Sequence, residues 1–189
     1  MPNGNPFQDL QRFRMPAGFR GRSAVVVQLW WMVQALVVKP LPQMCYPVRR
    51  ALLRAFGARI GKGVKIRPGV DITYPWKVSI GDHAWIGDNV TLYSLGPITI
   101  GANTVVSQYS YLCTGDHDHT LSDFPIRSFP IVIEDQVWVA SHVWIGPGVT
   151  IGFGSVVGAR STVIKSLPSG KICVGSPCRP VQSRAIPER

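Results

Sequence analysis

From Ile60 onward an aliphatic residue recurs every six positions: Ile60, Ile66 and Ile72, then after two extra residues Ile80, Ile86 and Leu92, then after two more Ile100, Val106 and Leu112. A long break separates Leu112 from Ile133, where the period resumes with Ile133, Val139, Ile145, Ile151, Val157 and Val163. Four places beyond these positions stand small or β-branched residues, among them Val64, Val70, Ala84, Val90, Thr104, Ser110, Val137, Val143, Val149, Ser155 and Ser161. Residues four apart on an extended chain share parity, so both members of each pair point inward. The pattern predicts a mainly β solenoid in which each six-residue unit is a short strand and a turn. Three units close one triangular coil, and the register gives about five coils, stacked because a single coil cannot bury its own inner face. Glycine often follows the aliphatic residue, as at Gly61, Gly81, Gly101 and Gly152, where a sharp bend is expected.

The segment before Ile60 has helical rather than hexad signals. Ser23 is placed to cap a helix over the apolar run Ala24–Val38, which Pro40 and Pro42 end. A second, basic amphipathic helix is expected from about Cys45 to Phe56, closed by Gly57. The apolar run has fifteen residues and contains Gln28 and Gln34. A spanning helix needs roughly 20 apolar residues, so this one is expected to be buried or to lie in a membrane interface. The chain divides into a helical segment 1–57, the coils 58–170 with an inserted protruding loop 118–132, and a tail 171–189.

Charge sharpens that division. Residues 1–67 hold twelve Lys and Arg against Asp9 alone, whereas residues 68–189 hold eight against nine acidic residues. A basic, apolar N-terminal segment points to an anionic membrane surface, with Arg12, Arg14, Arg20, Arg22 and the Trp30-Trp31 pair against the leaflet. Nucleic acid, the other polyanion such a charge could meet, is not an expected partner. Met1–Leu10 is polar and carries no secretory signal, and Cys45, Cys113, Cys173 and Cys178 form no CxxC pair or disulfide framework. The expected compartment is the cytoplasm, peripherally on the inner face of the cytoplasmic membrane.

The hexad tract resembles the hexapeptide-repeat acyltransferases, and the resemblance implies a left-handed parallel β-helix. With QLWW at 28–31, ITYPWK at 72–77, LCTGDHDH at 112–119 and VVGARS at 156–161, the chain is similar to the colanic acid biosynthesis acetyltransferases. These are relatives of the galactoside, maltose and nodulation O-acetyltransferases. The implied activity is acetyl-CoA-dependent O-acetylation of a sugar hydroxyl in bacterial exopolysaccharide synthesis, with acetyl-CoA as co-substrate and no metal.

Such a transfer needs a base for the hydroxyl proton, donors for the oxyanion and a groove for coenzyme A. His117 is the candidate base: it follows the last strand of the third coil, where the repeat breaks, and its context Thr114-Gly115-Asp116-His117 resembles that of the family's catalytic histidine. Direct transfer is expected, with Cys113 structural because its parity follows a core position. Either Asp116 or Asp118 could orient the imidazole, and no role is assigned to His119. On the acceptor side the resemblance implies Asn89, and Asp116 and the insertion beginning at Tyr93 are expected there too. For coenzyme A it implies Trp138 as an aromatic wall, the N–H near Ser141 for the oxyanion, Ala159 for close approach, and Lys165 and Arg179 for the phosphates. Counted by strands, Asn89 lies on the second face and His117 at the end of the third. They can share a site only across subunits, which predicts a homotrimer, as the resemblance also implies. Two other readings are a non-catalytic trimeric scaffold and a metal enzyme like the gamma-class carbonic anhydrases; the spacing of His83, His117, His119 and His142 does not match the latter. A lipid-linked oligosaccharide near the membrane is the expected form of the acceptor.

Overall fold

The computed structural model describes residues 7–185. The first six residues of the expected segment 1–57, and the last four residues of the expected tail, lie outside the described residues.

The hexads form a parallel β-helix with three faces. The first face stacks Arg59–Ile60, Val78–Ile80, Ile98–Ile100, Ile131–Ile133 and Thr150–Ile151. The second begins with Lys65–Ile66, Trp85–Ile86, Val105–Val106, Trp138–Val139 and Val156–Val157. The third stacks Asp71–Ile72, Thr91–Tyr93, Tyr111–Cys113, Trp144–Ile145 and Thr162–Val163. Register places like on like: Ile60, Ile80, Ile100, Ile133 and Ile151 make one column of core isoleucines. The residues four places on, from Val64 to Ser161, are buried with them. This packing of one aliphatic layer on the next supplies the main driving force, at about 25 cal/mol per Å² of apolar surface buried.

The coil continues past the five expected turns. Leu167 bridges to Ile151, and Lys171–Gly175 adds a strand to the second face beside Val156–Val157. Cys178–Ser183 folds back antiparallel on it and covers the open edge. The segment expected as a tail is therefore largely a cap on the last coil.

The bends are not at the glycines that follow the aliphatic residues. The left-handed residue is two places later, and it is often not glycine: His83, Asn89, Asn103, Tyr109, Gln136, His142 and Arg160 all have φ between 53° and 60°. A Cβ on Gly81 would stand 2.5 Å from the backbone nitrogen of Ala102, so that glycine is needed for coil-to-coil approach.

The helical segment closes the other end. Helix α1 spans Ala24–Val33, with the Ser23 hydroxyl accepting from the N–H of Val26, and continues as a π turn over Gln34–Val38; helix α2 spans Tyr46–Ala55. The first coil has no coil below it, and its free carbonyls and N–H groups must find other partners. Arg54 donates to the carbonyls of Ile60 and Gly61 on the first face, and Arg50 to that of Val64 beside the second. Arg49, 1% exposed, donates to Ile66 and to the carbonyls of Val38, Leu41 and Pro42. Gln34 and Trp30 complete the third face by pairing with the N–H and C=O of Ile72. This corrects one expectation. The arginines of α2 serve the coil edge, which the charge pattern did not assign, and Trp30 is fully buried rather than against a leaflet.

Candidate active site

His117 stands on a hairpin built from the break in the repeat. Gly115–His117 pairs antiparallel with Ile126–Ser128, so part of the expected loop is sheet at the corner between third and first faces. Asp118 closes the tip by accepting from the N–H and hydroxyl of Thr120. Arg127 braces the base of the hairpin, donating to Asp116 at 2.6 Å, to Asp118 at 3.2 Å and to the His117 carbonyl at 3.2 Å.

The imidazole is oriented by neither aspartate. Its Nδ1 lies 2.9 Å from the carbonyl oxygen of Phe124. A carbonyl can only accept, so Nδ1 carries the proton and Nε2 keeps a lone pair. The ring stacks on Phe124 at 4.2 Å between centroids, and Phe13, from the N-terminal strap, approaches at 6.3 Å. Asp116 acts on the backbone, accepting from the N–H of His117 at 2.8 Å. Burial opposes its ionisation, but the bonds from Arg127 and His117 outweigh that and hold its carboxyl below the usual range.

Two neighbours pack beside the hairpin. Tyr93 lies under the hairpin, half-buried beside Tyr111 at 6.1 Å, and a Cβ on Gly115 would stand 2.9 Å from its ring. Tyr93 does not line the groove that holds Asn89. The Cys113 thiol donates to the carbonyl of Gly115, and burial pushes its pKa up, which disfavours the thiolate a nucleophile requires.

Three of the other expected residues gather along the second face. Trp138, Ser141 and Ala159 line one groove of about 450 Å³, with the Trp138 indole N–H donating to the Ser107 hydroxyl at 3.1 Å. The backbone N–H of Ser141 has no acceptor among the described residues. A larger groove of about 800 Å³ adjoins it, sharing Ser107 and Gln108, and includes Asn89. Asn89 sits at the corner between second and third faces, His117 past the far end of the third. One chain therefore holds the groove and the histidine at different corners. Exposed Lys165 follows the third-face strand Thr162–Val163, while exposed Arg179 lies on the terminal strand of the second face. His119 is exposed at the hairpin tip. No group of three or more His, Cys, Asp or Glu side chains among the described residues could hold a metal within one chain.

Sequence reasoning missed Phe13 and Phe124, whose placement depends on tertiary folding. It also missed the outward column Lys65, Trp85, Val105, Trp138 and Val156, which runs in register along the second face. A signal for that column was present, because each of these residues directly precedes a core aliphatic.

No protein-family model matches the chain. It is 56% identical over 181 residues, 96% of this chain and 100% of the relative, to the Escherichia coli (strain K12) protein named "Putative colanic acid biosynthesis acetyltransferase WcaF". It is 35% identical over 137 residues to the galactoside O-acetyltransferase of the same organism, covering 71% of this chain and 68% of that one. A Vibrio cholerae hexapeptide-repeat acetyltransferase, solved with acetyl-coenzyme A, matches with a TM-score of 0.78 at 29% identity, over 88% of this chain and 92% of that chain. The coil thus goes with a left-handed β-helix of the acetyltransferase class. The chain belongs to the hexapeptide-repeat acetyltransferase family, in the branch of the colanic acid biosynthesis acetyltransferases.

Proposed function

We propose that the protein transfers an acetyl group from acetyl-CoA to a sugar hydroxyl of an exopolysaccharide or its lipid-linked precursor, with His117 as general base. The observation that carries this reading is the hydrogen bond from Nδ1 of His117 to the Phe124 carbonyl, which leaves Nε2 free to accept the hydroxyl proton. As Nε2 takes that proton, the acceptor oxygen bonds to the thioester carbonyl carbon. The C–S bond then breaks and the proton passes to the departing thiolate, so no acetyl-enzyme forms. The oxyanion is received by the unpartnered N–H of Ser141. Coenzyme A lies against Trp138 and Ala159, with Lys165 and Arg179 as phosphate contacts.

The groove and His117 lie at different corners, so the site joins two copies of the chain. A homotrimer sets the hairpin of each subunit against the second face of the next. The Vibrio cholerae neighbour's bound acetyl-coenzyme A supports the choice of acyl donor, and the relative's name supports the polysaccharide. Calorimetry with acetyl-CoA, together with acetyl transfer to exopolysaccharide oligosaccharides, tests the reading; binding without transfer to any of them would favour the non-catalytic scaffold.

Membrane contact belongs to the outer side of α1. Val25, Leu29, Met32 and Leu36 recur at helical spacing and are 77%, 44%, 53% and 71% exposed. No helix among the described residues is long and apolar enough to cross a membrane. Flotation with anionic vesicles, comparing the native chain with Leu29→Asp/Leu36→Asp, tests this, and equal binding by both would reject it.

A further inference from the structure

The groove that includes Asn89 is floored by more than an asparagine. Lys65, Trp85, Val105 and Trp138 succeed one another up the second face. Strands in a sheet are about 4.8 Å apart, so Trp85 lies two rungs, or about 10 Å, from the Trp138 of the coenzyme groove. Trp85 is 50% exposed, and the Lys65 ammonium rests 4.2 Å from its ring centroid. Tyr46 of α2 and Tyr109 form further walls.

The charges are arranged for an anion. Arg67 donates to Asp88 through Nε at 2.6 Å, and no second carboxylate pairs with its guanidinium among the described residues. The charged side chains lining this groove are Lys65, Arg67 and Asp88, so a positive charge remains after the ion pair. An exposed indole offers a flat apolar surface for the C–H face of a sugar ring, and a neighbouring ammonium and guanidinium offer donors for an acidic substituent.

We infer that the acceptor is an acidic saccharide: a sugar ring stacks on Trp85 beside Asn89, while Lys65 and Arg67 receive its carboxylate or phosphate. This inference rests on the acetyltransferase reading for the groove's role, but saccharide binding is measured separately from transfer. Three disaccharides are titrated into the full-length protein in the presence of coenzyme A: one ending in a uronate, one a glycosyl phosphate and one neutral. At least one acidic probe should bind about tenfold more tightly than the neutral one, with the stronger of the two identifying the acidic group. Lys65→Gln and Arg67→Gln should each reduce that preference, as should raised salt. Equal affinity for acidic and neutral probes, binding by none of them, or a preference unchanged in both variants would overturn the inference. Efficient acetylation of the neutral probe with no acidic preference would refute the inference and leave the transferase reading standing. Selective acidic binding without any binding of acetyl-CoA would do the reverse.

Discussion

Nδ1 of His117 hydrogen-bonds the carbonyl of Phe124, seven residues along the same hairpin. Orientation of the imidazole is therefore a property of the hairpin's own closure. Phe124 adopts φ 50° at the turn that presents this carbonyl. The strand-to-strand brace is Arg127, which bonds both Asp116 and Asp118.

Removing that brace should loosen the imidazole without touching the groove lined by Trp138 and Ala159. Arg127→Met is expected to lower kcat by about 10- to 100-fold while the Kd for acetyl-CoA stays as in the native protein. Steady-state kinetics with calorimetry reads both quantities. A parallel loss of acetyl-CoA affinity would show that the hairpin does more than position His117.

The Asp116–Arg127 pair also sets an acid limit. The Asp116 carboxyl is held below its usual range in the folded chain, so its contribution to stability is fully present above the unfolded value of about 3.9 and is lost as pH falls through the folded value. Urea unfolding should find the native chain more stable than Asp116→Asn at neutral pH. That advantage should shrink as the pH drops below about 4. A constant difference down to pH 2 would mean the effect is not ionic.

The cap makes a different prediction. Arg49→Met leaves several buried carbonyls without donors, each costing about 1–3 kcal/mol, and should reduce the unfolding free energy by at least about 3 kcal/mol in chemical denaturation. Arg54, bonded at the more exposed edge of the first coil, should matter less when replaced in the same way. Equal, small losses for both would show that the edge carbonyls are satisfied by water instead.

Site sharing is tested by mixing chains. His117→Ala and Asn89→Ala subunits, each impaired alone, should recover part of the native rate when refolded together, because some interfaces then pair an intact hairpin with an intact groove. No recovery in mixed trimers would place both residues in a single subunit's site.

The core was legible because the coil repeats one physical solution: Ile60 to Val163 and their partners four places on are buried as their parity requires. The first coil's edge was not, since charge pattern alone does not say whether Arg49 faces solvent or a carbonyl. Glycine was misread for a related reason. Sequence shows that Gly81 is small, but only stacking shows that Ala102 of the next coil needs the space. In the candidate site, His117 and Trp138 were proposed from their neighbours in the chain. The Phe124 carbonyl could not be, because a backbone group leaves no mark in residue identity. Lys65 and Trp85 follow the same period, one place before Ile66 and Ile86.

The most direct measurement is the single-turnover rate of acetyl transfer by His117→Ala, with acetyl-CoA affinity measured on the same preparation. The rate should fall by about two to four orders of magnitude while affinity is retained. A near-native rate with a folded, acetyl-CoA-binding variant would contradict the assignment of His117 as the base.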